Sequence, residues 1–299
     1  MTGAHIQRIL LFVIFVAASL LYASGARPDD TDENVVLTPG IVVAGSPELV
    51  RVAADGSVTV DGEWMGRKLE FFRGRAGKAW FALAGVDVQA PAGPSVLHIA
   101  LHTAGAATID LNRTIEIHPA NYRAEKLTVA PKYVEPGTEE LKRIKAEAEL
   151  KKKVFEASAP EVLWSGDFRA PIRAAATDSF GLRRTYNGEL NSIHKGMDFR
   201  ARKGTVVRAD NSGVVVLGQS LYYEGNCVVI DHGLGLFTIE MHLSRIDVRV
   251  GQQIVKGQRV GLSGATGRVT GPHLHWAVWW QGAYLDPAKL LRMDLSRLR

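Results

Sequence analysis

"TGPHLHWAVW", residues 270–279, sets two histidines, His273 and His275, one residue apart at the edge of an apolar, aromatic run. Strand side chains point alternately to opposite faces, so this spacing puts both imidazoles on one face. A strand that is to be buried needs a partner for each of those lone pairs, since an unpaired polar group is costly to bury. The neighbouring stretches read the same way. "GTVVRADNSGVVVLGQ" (204–219), "GNCVVIDHG" (225–233) and "LFTIEMHL" (236–243) are rich in Val, Ile and aromatics with Gly at the turns, which predicts an all-β region.

Two further features of that region bear on the histidines. In "HKGMDF", His194 and Asp198 are four residues apart, on one face of an extended segment, and His242 ends the apolar run "IEMHL". Neutral imidazole nitrogen and carboxylate oxygen are good zinc ligands, and a hydrolytic zinc site takes three protein ligands with a fourth position open. Two His and one Asp fit that count. His232 in "DHG" reads instead as a hydrogen-bonded support for a turn, and Cys227 as a small buried residue.

The rest of the 299 residues frames this region. With 46% hydrophobic and 22% charged residues the chain is globular in character and long enough for about two domains. Its 36 Lys and Arg against 31 Asp and Glu give a net charge of +5, a basic surface suited to anionic polymers such as cell wall, nucleic acid or lipid headgroups. The single Cys227 excludes an internal disulfide. "HIQRILLFVIFVAASLLYASGA" (5–26) has Arg8, an apolar run from Ile9 to Leu21 and small residues Ser24 to Ala26, the pattern of a secretory signal cleaved after Ala26; an uncleaved membrane anchor is the alternative.

Residues 38–132 read as short alternating strands: "SVTVDG", "RKLEFF", "SVLHIALH" and "ATIDLNRTIEIH". This predicts a β-sandwich of immunoglobulin-like type. His98 and His102 share a strand face there, with no third ligand nearby, and are expected to face solvent. "VEPGTEELKRIKAEAELKKKVFEASAP" (134–160) predicts a helix with Thr138 as N-cap, Leu141, Ile144 and Ala148 as a thin apolar stripe, and Pro160 ending it. A helix this polar is expected to be a solvated connector lying across one domain, rather than a cover for the active site. The expected organisation is therefore a signal peptide (1–26), a polar linker (27–37), the sandwich (38–132), a helical linker (133–159) and a catalytic β domain (160–299).

Over roughly residues 165–290 the sequence resembles the LytM or lysostaphin-type zinc metalloendopeptidases, which cut the peptide part of bacterial peptidoglycan. The resemblance rests on "FGLRR", "HKGMDF", "GTVVRADNSGVV", "GNCVVIDHG", "MHLS", "GATGRVTGPHLHW" and "DPAKLL". It implies one zinc per chain with ligands His194, Asp198 and His275. His242 and His273 match the family's two non-ligand histidines, with His242 assigned to proton transfer and His273 to oxyanion or proton support. The implied substrate is the peptide stem of peptidoglycan, with no nucleic acid and no stable membrane span after signal cleavage, in an exported protein of the periplasm or cell envelope. A catalytically silent wall-binding or amidase-activating relative is the alternative, and adhesion through the sandwich a third reading.

One departure stands out. The family commonly has Tyr two residues before the "HL" histidine, and here that position is Glu240. Parity places Glu240 on the face of His242, where it could orient that ring, tune its pKa or contact substrate amines, with a simple surface exchange at a strand edge as the alternative. Asn226, Arg184 and Tyr186 are further candidate substrate contacts.

Overall fold

The protein is described by a computed structural model over residues 34–127, 136–186, 188, 190–296 and 298. The signal-peptide expectation lies outside the described residues, as does most of the polar linker. Among the described residues no helix is long and apolar enough to cross a membrane.

The architecture is mainly β. Val35–Thr38, Pro47–Ala53, Ala79–Gly85 and Phe72–Arg73 form a four-stranded sheet, and Val42–Val43, Ile109–His118, Gly93–Thr103, Val58–Trp64 and Arg67–Leu69 a five-stranded one. Val50 and Val52 from the first sheet join Trp64, Leu97 and Ile99 from the second in one apolar cluster. The run "RKLEFF" does not make one strand. Its first half pairs with Val58–Trp64 and its second with Ala79–Gly85, so it passes from one sheet to the other. His98 and His102 are bonded to Asn112 and Asp61 on the exposed side of the sandwich.

The C-terminal part is built on a large sheet in which Met197–Arg200, His273–Trp280, Leu236–Ile246, Gly225–Asp231 and Gly213–Leu221 lie side by side, all antiparallel. One face carries Leu274, Trp276, Val278, Val228, Ile230 and Leu236 into the same core as the sandwich. The two parts meet closely. A Cβ on Gly85 would come within 2.5 Å of the Leu285 side chain, so only glycine allows that approach. Backbone and side-chain bonds add to it, from Asp286 N to Gly45 O and from Lys289 Nζ to Ser46 Oγ, each 2.8 Å.

The other face carries Phe237, Ile239, Ala277 and Trp279, and the helix Thr138–Glu156 packs on it. Gly137, not Thr138, is the N-cap residue, and the helix stops at Glu156, ahead of Pro160. Its docking side chains are Leu150, Val154 and Phe155, with the Phe155 ring stacked 4.2 Å from Trp279. Leu141, expected on the apolar stripe, is exposed. Glu147 accepts a bond from Tyr222 N, and Lys151 pairs with Glu224. These polar anchors compensate for a weak apolar face and fix where the helix lies.

Glu48, in the strand Pro47–Ala53, is wholly buried near Lys289. Burial pushes its carboxyl up to about 7 from 4.5. Between those values the folded chain keeps a proton that the unfolded chain has released, so stability falls as pH rises through that window and levels off above it. Glu48→Gln removes this dependence: from about pH 4 to about pH 8 the wild type loses roughly 3 kcal/mol relative to the variant. Urea unfolding of both proteins across that range measures it, and equal slopes against pH would contradict the assignment.

Candidate metal centre

His194 follows the strand Leu190–Ile193, Asp198 lies on Met197–Arg200, and His275 is its cross-strand partner on His273–Trp280. The strand parity that sends Met197, Phe199, Leu274 and Trp276 into the core turns Asp198 and His275 to the opposite face. There His194 Nε2 lies 3.1 Å from Asp198 Oδ1 and 3.0 Å from His275 Nδ1, and His275 Nδ1 lies 2.8 Å from Asp198 Oδ1. All three residues are buried. Space for them is made by Gly196, where a Cβ would come within 2.5 Å of His275 Nε2.

The tautomer of His194 is set from behind. Its Nδ1–H donates to Ser179 O at 2.9 Å, which leaves the Nε2 lone pair aimed at the other two groups. Burial raises the Asp198 carboxyl, but the adjoining His194 and His275 imidazoles outweigh it and hold the group well below the ordinary carboxylate range. Burial, with the neighbouring His194 and His273, lowers His275 despite Asp198 beside it. Three acceptor atoms so close repel one another unless a proton or cation sits between them. The donor set of two imidazoles and a carboxylate suits zinc, and these three residues form a group able to hold a metal ion.

His242 reaches this face by a break in the strand. Its φ is 63°, in the left-handed region that a residue with a Cβ seldom adopts, and the pairing with Gly225–Asp231 shifts register between Asn226 and Val228. The break turns the His242 ring toward His273 and His275, with ring centroids 4.9 and 5.9 Å away. Strain of this kind concentrates at functional sites. Its Nδ1–H donates to Thr266 O at 2.9 Å, leaving Nε2 free. Burial first, then the neighbouring His275 and His273, push its conjugate acid down to about 3, so the ring is neutral near pH 7. His273 is held in the same manner, Nδ1 to Gly271 O at 2.9 Å, with Nε2 at 3.8 Å from Asp198 Oδ1.

The same break overturns the expectation for Glu240. Parity across an unbroken strand would place it with His242, but Glu240 stays with Thr238 on the core face and is wholly buried. There Asp210 accepts from Thr238 Oγ1 and Trp276 Nε1, both at 3.1 Å. Burial, then the Asp210 charge, raise the Glu240 carboxyl well above its ordinary value. A neutral acid inside the core offers nothing to a substrate in the cleft. His232 belongs to this core network as well, through Ser212 O and Thr238 Oγ1.

Of the other candidate contacts, Arg184 Nη2 lies 4.0 Å from Asp198 Oδ2 while its Nε donates to Glu125. Asn226 spends its amide on Leu243 O. The Tyr186 side chain lies outside the described residues. Ser179, Thr266 and Gly271, which fix the three imidazoles through their carbonyls, carried no signal in the sequence, because a backbone oxygen belongs to every residue type.

Residues 192–287, which hold the whole histidine and aspartate cluster, match Peptidase family M23. The C-terminal part of the chain is a peptidase family M23 domain. The M23 domain is 48% identical over 96 residues to the peptidoglycan DD-endopeptidase ShyA of Vibrio cholerae, a match covering 32% of this chain and 22% of ShyA. It is 37% identical over 98 residues to the DD-carboxypeptidase/endopeptidase Mpg of Neisseria meningitidis, covering 33% and 23% of the two chains. The matched region is thus under a quarter of the length of either relative. The likeness to a solved structure extends beyond the M23 domain: a putative peptidase M23 from Pseudomonas aeruginosa is similar over 83% of this chain and 94% of its own, with a TM-score of 0.66 and 26% identity.

Proposed function

We propose that the chain is a zinc-dependent endopeptidase that hydrolyses peptide cross-links of bacterial peptidoglycan, and that it acts after export, in the cell envelope. The observation that carries this reading is the convergence of His194, Asp198 and His275 with two more imidazoles, His273 on the His275 face of its strand and His242 turned in by a strained break. Likeness to ShyA and Mpg favours a bond of the DD type, between D-alanine and a diamino acid.

His194, Asp198 and His275 would hold the zinc. When bound, zinc supplies Lewis-acid chemistry, lowering the pKa of a water molecule and polarising the scissile carbonyl. The protein's own residues carry the proton. His242, neutral and with Nδ1–H fixed on Thr266 O, presents the Nε2 lone pair that takes the proton of the attacking water. Oxygen bonds to the carbonyl carbon, the C–N bond breaks, and the leaving amine takes that proton. His273 is fixed at Nδ1 by Gly271 O, and with a proton on Nε2 as well, as an imidazolium, it would donate that N–H to the oxyanion. Cys227 does not serve as a covalent nucleophile: it is fully buried, and burial pushes its thiol far above its ordinary value.

Digestion of purified peptidoglycan tests the reading. The zinc-loaded chain is expected to release fragments, a chelator to stop it, and added zinc to restore it. Undiminished digestion after the metal has been stripped would sink the proposal.

A further inference from the structure

Between the sandwich and the M23 domain lies a cavity of about 430 Å³ whose lining includes Met65, Arg67 and Asp87 from one part and Lys195 and Tyr284 from the other. That volume lies within the range of small-ligand sites. Lys195 directly follows His194 in the chain, so one lining residue is the immediate neighbour of a residue of the histidine and aspartate cluster.

The charges in it are not balanced. Asp87 is the carboxylate of the lining, and both its oxygens are already engaged: Oδ1 accepts from Gln89 N and Oδ2 from Tyr284 N, each at 2.9 Å. Those bonds tie the cavity wall together. Arg67 uses Nε on Gln281 O at 2.9 Å. The exposed Lys195 ammonium sits 4.7 Å from the Tyr284 ring centroid, a cation–π placement that holds it over the cavity without neutralising it. Among the described residues, neither cation has an ion-pair partner in the lining. The cavity therefore offers two cationic heads beside the apolar surfaces of Met65 and Tyr284.

We infer that this junction is a subsite for a carboxylate of the bound peptide, with Lys195 and Arg67 as its recognition groups. The chemistry fits an acidic stem peptide, whose free carboxylates lie among aliphatic side chains close to the cross-link. This inference rests on the proposed function only for the identity of the peptide. It also gives the sandwich a direct part in binding, because Arg67 belongs to it.

The test measures binding, so that it stands apart from hydrolysis. Full-length zinc-loaded protein carrying His242→Ala, which keeps the peptide intact, is titrated calorimetrically with two synthetic cross-linked stem peptides, one with free carboxylates and one with them amidated. The acid form is expected to bind about tenfold more tightly. Adding Lys195→Gln brings the two affinities to within about twofold of each other, while Lys195→Arg preserves the preference. Lys195 is exposed and its replacement leaves the core untouched. Equal binding of the two peptides by the parent, no binding of either, or an equal loss for both on Lys195→Gln would each overturn the subsite. Absence of wall digestion by the zinc-loaded wild-type chain, with this preference intact, would count against the proposed function alone.

Discussion

His275→Ala is expected to lose bound zinc and wall digestion together, with zinc falling from one per chain to background. His275 Nδ1 lies 2.8 Å from Asp198 Oδ1 and 3.0 Å from His194 Nε2, so its removal leaves two ligands where a hydrolytic zinc site needs three. Metal affinity depends on every ligand being present and deprotonated. Asp198→Asn and His194→Ala should behave alike, since the first removes the anionic charge and the second the imidazole fixed by Ser179 O. Elemental analysis beside digestion rate reads this, with circular dichroism to confirm the fold. A His275→Ala protein that kept full zinc would remove it from the ligand set.

His242→Ala is expected to separate the two properties. The three ligands stay in place, so zinc content is unchanged, while the rate falls by about 10² to 10⁴, the usual worth of a positioned general base. His242 lies beside the cluster, its ring centroid 5.9 Å from that of His275, and its Nδ1 is committed to Thr266 O. His273→Ala should also keep zinc, with a loss of about 10² to 10³ for one oxyanion donor. If His242→Ala lost its metal as completely as His275→Ala, the division between ligand and base would be wrong.

The metal-centre residues were readable in the sequence because the strands that carry Asp198 and His275 are regular. Alternation in "HLHWAVWW" fixes which residues enter the core, and therefore which face receives His273 and His275. Where regularity breaks, the reading fails. Glu240 was placed beside His242 by parity, and the left-handed residue at His242 reverses the relation. The residue type does not announce that break: histidine is enriched at positive φ among residues with a Cβ, yet most histidines do not adopt it.

The helix shows a different limit. Its spacing suggested Leu141, Ile144 and Ala148 as the contact stripe, but its seat is set by Phe155 on Trp279 and by Glu147 and Lys151 on the loop at residues 222–224. These contacts are made with residues more than 70 positions away, beyond the reach of local periodicity. The sandwich strands were legible for the same reason as the metal strand. Which sheet each joins was not, because "RKLEFF" reads as one strand and serves two.

The proposed cleavage of a wall peptide bond at this site is read by mass spectrometry of the fragments released from purified peptidoglycan by the zinc-loaded full chain. New amino and carboxyl ends are expected in equal number, with D-alanine at the carboxyl side and the sugar strands intact. New reducing sugar ends in place of peptide ends, or no new ends at all from a protein carrying its zinc, would contradict it.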